Sequence, residues 1–148
     1  LLTLLLTLSA CDAFVRDDYA SVGETRSNRQ LSLTLDSVSY GESSIGDLED
    51  DEVFIILTFT MQNIGTVITR TINPETDFTL ENGTTYSVDM TIEGNDSLEG
   101  RIKVGERKEG TITFKVPEDF ETLYLTFDNG MQADGIFIYE ITKNDLSS

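Results

Sequence analysis

Asp47, Glu49, Asp50, Asp51 and Glu52 place five carboxylates in six consecutive positions. A loop so rich in oxygen ligands is where this chain would hold a divalent cation, since Ca²⁺ takes about 6 to 8 oxygen ligands. The EF-hand spacing fails. Counted from Asp47, the place that needs glycine holds Glu52 and the place that needs the closing glutamate holds Thr58. A solvated acidic loop is the simpler reading, with a weak Ca²⁺ site as the alternative. Glu93, Asn95, Asp96 and Glu99 form a second polar cluster, expected near the first at one end of the fold.

Other chemistry is sparse. The chain has no histidine and one cysteine, Cys11. Histidine is the commonest general base and metal ligand, so Ser-His-Asp mechanisms are excluded. A glycosidase needs only two carboxyl groups about 5 to 9 Å apart. With 27 acidic residues, chance pairs are unavoidable and none stands out. Met61, Met90 and Met131 are scattered without a histidine beside them, which fits core packing better than copper handling. No catalytic residue and no cofactor is assigned, and the chain reads as non-enzymatic.

Cys11 follows an uncharged run, Leu1 to Ala10, that closes on Leu8-Ser9-Ala10. A short apolar run ending in small residues is the back half of an export signal, whose basic front is expected upstream of Leu1. Ten residues fall short of the ~20 that a membrane-spanning helix requires. The tetrapeptide resembles the lipobox of prokaryotic lipoproteins. That resemblance implies cleavage before Cys11, acylation of its thiol, and attachment to the outer face of the cell membrane. Asp12 resembles an inner-membrane retention signal in bacteria with two membranes. The alternative is an ordinary buried thiol.

A net charge of −17 lies wholly in residues 11–148. Such a field repels phosphate backbones, so no nucleic-acid partner is expected. It also opposes adsorption to anionic headgroups, which leaves the acyl chain as the route to the membrane.

From Cys11 to Arg29 the chain is polar and aperiodic and reads as a tether; residues 30–148 read as one domain. There the hydrophobic period is two. Leu31, Leu33 and Leu35 alternate with polar residues and the phase slips to Val38 and Tyr40, which predicts a β-bulge near Asp36-Ser37. Val53, Ile55, Leu57, Phe59 and Met61 predict a central strand buried on both faces at its start, where Phe54 and Ile56 are also apolar. Further strands are expected at 67–72, 78–81, 84–88, 112–116, 123–127 and 136–141. Asn82-Gly83 predicts a type I′ hairpin. Seven or eight short antiparallel strands without a helical stripe predict an all-β sandwich. Val-Gly-Glu occurs at 22–24 and again at 104–106, which reads as one turn used twice. Asn82-Gly83-Thr84 and Asn95-Asp96-Ser97 fit the N-glycosylation pattern.

The order of these motifs, Val22-Gly23-Glu24, Gln62-Asn63-Ile64-Gly65, Asp77-Phe78-Thr79-Leu80 before Asn82-Gly83 and Tyr86, then Val104-Gly105-Glu106 leading to Gly110 through Pro117, resembles the DUF4352 family. The resemblance covers roughly Ser21 to Asp128. It implies an exported, commonly lipid-anchored protein with an immunoglobulin-like β-sandwich, and it carries no catalytic residue. The expected role is a membrane-anchored binding or interaction module facing an envelope or extracellular partner. The alternatives are a Ca²⁺-binding structural protein and a carboxylate-dependent hydrolase.

Overall fold

The computed structural model describes residues 18–67, 71–130 and 136–147. Ten strands form two five-stranded sheets: β1 (Ala20–Ser21), β2 (Thr25–Ser27), β3 (Leu31–Tyr40), β4 (Glu52–Asn63), β5 (Phe78–Glu81), β6 (Thr85–Ser87), β7 (Arg107–Pro117), β8 (Thr122–Asp128), β9 (Ile136–Thr142) and β10 (Leu146–Ser147). One sheet runs β10-β3-β4-β7, with β2 also paired to β3; the other runs β1-β9-β8-β5-β6. The architecture is the β-sandwich expected from the alternating pattern, of the immunoglobulin-like kind that the family resemblance implies.

Period two explains the core. Leu31, Leu33, Leu35, Ile55, Leu57, Phe59, Met61, Ile112, Phe114 and Val116 point inward from one sheet. Phe78, Leu80, Leu123, Leu125, Phe127, Tyr139 and Ile141 meet them from the other. Phe59 reaches across to Phe78 at 5.1 Å between ring centroids, and Phe78 continues to Phe127 at 4.8 Å, a tilted aromatic chain that ties the layers. Tyr139 crosses as well. Its hydroxyl donates to the Leu33 carbonyl at 2.7 Å and lies 2.9 Å from that of Glu24.

The bulge falls where the phase slip puts it. The β3–β4 register shifts between Leu35 and Ser37, and the skipped Asp36 turns outward to accept from Thr60 Oγ1 at 2.7 Å. β4 is central, between β3 and β7. Phe54, on its outer face, is buried because the Gly41–Gly46 loop folds over it; a Cβ on Gly41 would stand 2.9 Å from Phe54 Cβ.

Three expectations need correction, and a fourth falls largely outside the described residues. β1 pairs parallel with β9, and β10 parallel with β3, so among the described residues the sandwich has ten strands and is not wholly antiparallel. Ala20 to Ser27, read as tether, is built into both sheets, because Ala20 is buried and β2 pairs with β3. The hairpin loop has three residues, Asn82 to Thr84, since Glu81 pairs with Thr85; only Gly83 needs its positive φ of 95°. Of the 67–72 strand, 68–70 lie outside the described residues and Ile72 forms a single bridge to Gly100. Among the described residues no helix is long and apolar enough to cross a membrane.

Candidate functional site

The two ends of the sandwich differ. β1 runs parallel to β9, so Asp18 lies toward Ile136, where the chain from Cys11 arrives. Asp18, Arg26 to Arg29 and Ile136 to Ile138 line one cleft of ≈ 560 Å³. β3 begins, β4 ends and β7 begins at this same end. At the other end the Glu118 N–H donates to the Asp51 carbonyl, and Lys143 Nζ donates to the Glu118 carbonyl and sits 5.3 Å from the Phe120 ring centroid.

Asn63 organises the tether end. Buried at the last position of β4, its Nδ2 donates to the carbonyls of Val67 and Ile102 at 3.1 and 3.0 Å, and its Oδ1 accepts from the Gly65 N–H at 3.0 Å. Its backbone N–H donates to Glu106, and its carbonyl accepts from Gly105. The loop after β4 and the loop before β7 are thereby fixed around one residue. Gly65 lies so close to Gln30 that a Cβ would stand 3.1 Å from Gln30 Cα, and the Gln30 carbonyl accepts from Ile64 and Gly65.

The two Val-Gly-Glu turns are the same device. In each, the glutamate carboxylate accepts from the N–H three residues earlier, Glu24 from Ser21 at 3.0 Å and Glu106 from Lys103 at 2.7 Å. In each, the glycine has φ > 0 and donates its N–H to a strand of the same sheet, Gly23 to Leu35 and Gly105 to Asn63. They differ in the valine: Val22 packs on the core, whereas Val104 is 52% exposed.

A second cleft, ≈ 460 Å³, lies on the outer face of the β4–β7 pair, lined by Ser44, Ile45, Ile56, Glu93, Thr111 and Thr113. Both walls are pinned. Ile45 packs toward Gly41 beside Phe54, and the Glu93 side is held by Asn95, whose Nδ2 donates to the carbonyls of Asp89 and Thr113 while its Oδ1 accepts from the Thr113 N–H at 2.7 Å. Ser97 does the same at Thr111, donating to its carbonyl and accepting from its N–H. Two side chains thus occupy the backbone groups that an added strand would use on β7. Asp89, in the same loop, accepts from the Thr91 hydroxyl at 2.6 Å and the Thr91 N–H at 2.9 Å, which holds its carboxyl below the usual range.

The sites read from the sequence fall as follows. Cys11 lies outside the described residues. Asp47, Glu49, Asp50, Asp51 and Glu52 do share one loop, yet among the described residues no three acidic side chains converge as a metal-binding group. Glu52 is spent on its own loop, accepting from the Glu49 N–H at 2.9 Å. Glu93 does approach the neighbouring Ser44-Ile45 segment, across the second cleft. Asn95 is a fully buried structural amide and is closed to glycosylation, whereas Asn82 is exposed. Sequence reasoning missed the roles of Asn95 and Ser97 and the exposure of Val104. Their one-dimensional signal was only an Asn-x-Ser pattern and a repeated turn.

Among solved structures the chain is similar to ycdA of Bacillus subtilis, described as a "putative lipoprotein", at 21% identity and TM-score 0.65, covering 82% of this chain. The chain spans only 39% of that protein. It is similar over 83% of its length, and 96% of the other chain, to MPT63, a secreted protein of Mycobacterium tuberculosis, at 19% identity and TM-score 0.61. A β-sandwich protein of Clostridium difficile matches at 15% identity and TM-score 0.52, over 84% of this chain and 95% of that one. No curated protein matches the chain. The model of a domain of unknown function, DUF4352, matches residues 20–137, which takes in β1 through the first residues of β9, and the chain belongs to that family.

Proposed function

We propose that this protein is an extracytoplasmic lipoprotein, held to the membrane by an acyl group on Cys11, whose sandwich is a non-enzymatic binding module. The carrying observation is the cleft lined by Ser44, Ile45, Ile56, Glu93, Thr111 and Thr113, with both walls pre-ordered by buried contacts. A rigid scaffold with loop-walled recesses suits recognition. The chemistry on hand suits catalysis poorly. The chain lacks histidine, Asp89 is held as a carboxylate by Thr91, and burial pushes the Tyr139 phenol up to about 12, so neither titrates near neutrality. The location is supported by Leu8-Ser9-Ala10-Cys11 and by structural likeness to one protein described as a lipoprotein and another as secreted.

Two measurements test the two halves. Cys11→Ser should move the protein from the membrane fraction to the soluble one with its melting temperature unchanged; retention in the membrane sinks the anchor. A photo-crosslinking residue at Thr111 should give a discrete adduct with an envelope or extracellular component, lost in Ile56→Glu. The same adducts from a probe at Thr126, on the opposite sheet, would rule out the cleft as the contact surface.

A further inference from the structure

We propose that the tether end of the sandwich, at its β3–β4–β7 corner, rests on the lipid surface, with Ile64, Val67 and Val104 entering the headgroup region. The inference builds on the anchored reading above and adds an orientation to it. These three residues are 47%, 57% and 52% exposed. Ile64 and Val67 stand on one loop and Val104 on the other of the two that Asn63 holds together, so the three form one apolar tip.

The paired turns show that Val104 is not required by its fold. Val22 occupies the equivalent position in the other Val-Gly-Glu turn and is packed on the core, whereas Val104 makes the same turn and projects outward. Together with Ile64 and Val67 it makes a group of exposed apolar side chains, the kind of surface that marks an interaction site, where Val104 alone would not.

Charge favours lipid as the partner. Arg26, Arg29, Arg101, Lys103, Arg107 and Lys108 all belong to this end, leaving Lys115 and Lys143, among the described residues, toward the other. The carboxylates of this corner, Asp18, Glu24, Glu99, Glu106 and Glu109, nearly balance those cations, with Arg26 paired to Asp18 and Glu24 and Arg107 to Glu109 at 3.7 Å, so the corner is close to neutral in a chain of net charge −17. Glu75, Asp77 and Asp128 lie at the corresponding end of the other sheet, which is why the contact falls on the β3–β4–β7 corner. The loop of Asp47 to Glu52 is at the far end, with Glu118 beside it. A chain of net charge −17 approaches an anionic bilayer at least cost with that far end pointing away. The tether keeps the same end of the sandwich near the membrane. Cys11 and Asp18 are seven positions apart, a span of at most ~25 Å when fully extended.

The chain has no tryptophan, so one introduced indole reports alone. The acylated full chain carrying Val104→Trp, Ile64→Trp or Ser44→Trp is reconstituted on phosphatidylglycerol–phosphatidylcholine vesicles with bromine on the upper acyl chain. The expected result is at least two-fold quenching for V104W and I64W and no quenching for S44W. Quenching of V104W no stronger than that of S44W, with the protein still floating with the vesicles, overturns the orientation and leaves the anchor standing. Failure of the acylated chain to float overturns the anchor and the orientation together. Equal V104W quenching on pure phosphatidylcholine overturns the electrostatic part of the proposal.

Discussion

Asn95 pairs with Thr113 as a strand would: Oδ1 accepts its N–H at 2.7 Å and Nδ2 donates to its carbonyl at 3.1 Å. One side chain thus closes the open edge of β7, and Ser97 repeats the arrangement two residues on. Gly110 lets this happen, since a Cβ there would stand 2.5 Å from Ser97 Oγ and 2.8 Å from Leu98 Cγ.

Asn95→Ala should therefore lower stability by about 1–3 kcal/mol, the cost of leaving a buried donor and acceptor unpaired. Urea denaturation measures it. The double variant Asn95→Ala, Ser97→Ala should also dimerise at high concentration through the freed edge. A variant as stable as the parent would show that the β7 edge is satisfied another way.

Gly23→Ala and Gly105→Ala should each cost about 1–2 kcal/mol, because both glycines have positive φ and nothing lies within 4 Å of a new Cβ. The turns bond to different strands, so the two costs should add to within about 0.5 kcal/mol. Thermal or urea unfolding of the double variant tests the sum.

Burial raises the Tyr139 phenol to about 12. An acid with a raised folded pKa favours the folded state fully below its unfolded value near 10, and that contribution is lost as pH rises toward 12. Stability should fall across this window. Tyr139→Phe should be less stable at pH 8, with the Leu33 and Glu24 carbonyls losing a donor, and should show a shallower fall above pH 10. Parallel curves for the two proteins would remove Tyr139 as the cause.

Millimolar Ca²⁺ should raise the melting temperature no more than NaCl of equal ionic strength, because Asp47, Glu49, Asp50, Asp51 and Glu52 do not converge. A Ca²⁺-specific rise lost in Asp50→Asn with Asp51→Asn would restore a cation site to that loop.

The long strands were legible because each carries enough alternating residues to declare its phase. Leu31 to Tyr40 even disclosed the bulge, since a skipped residue must shift Val38 and Tyr40 to the other parity. β1, β2 and β10 have two or three residues each and can show no period, so the boundary at Arg29 fell too late. The Asn82-Gly83 dipeptide located the hairpin, yet its loop length depends on how Glu81 meets Thr85, a pairing that local preference does not specify. The clefts were invisible for a different reason. Ser44, Glu93 and Thr111 are far apart in sequence and meet only through the packing of loops on β4 and β7.

The parallel pairing of β1 with β9 has a mechanical consequence. With the chain held at Cys11, as proposed above, a pull along the β1 axis enters the sheet at Ala20 and loads the β1 hydrogen bonds together in shear rather than opening them one after another like a zip. The next link is the turn at Gly23, fastened to Leu35, and then the antiparallel β2–β3 ladder. Drag on the outer end of the protein is thereby carried into both sheets before it reaches the strands that hold the core.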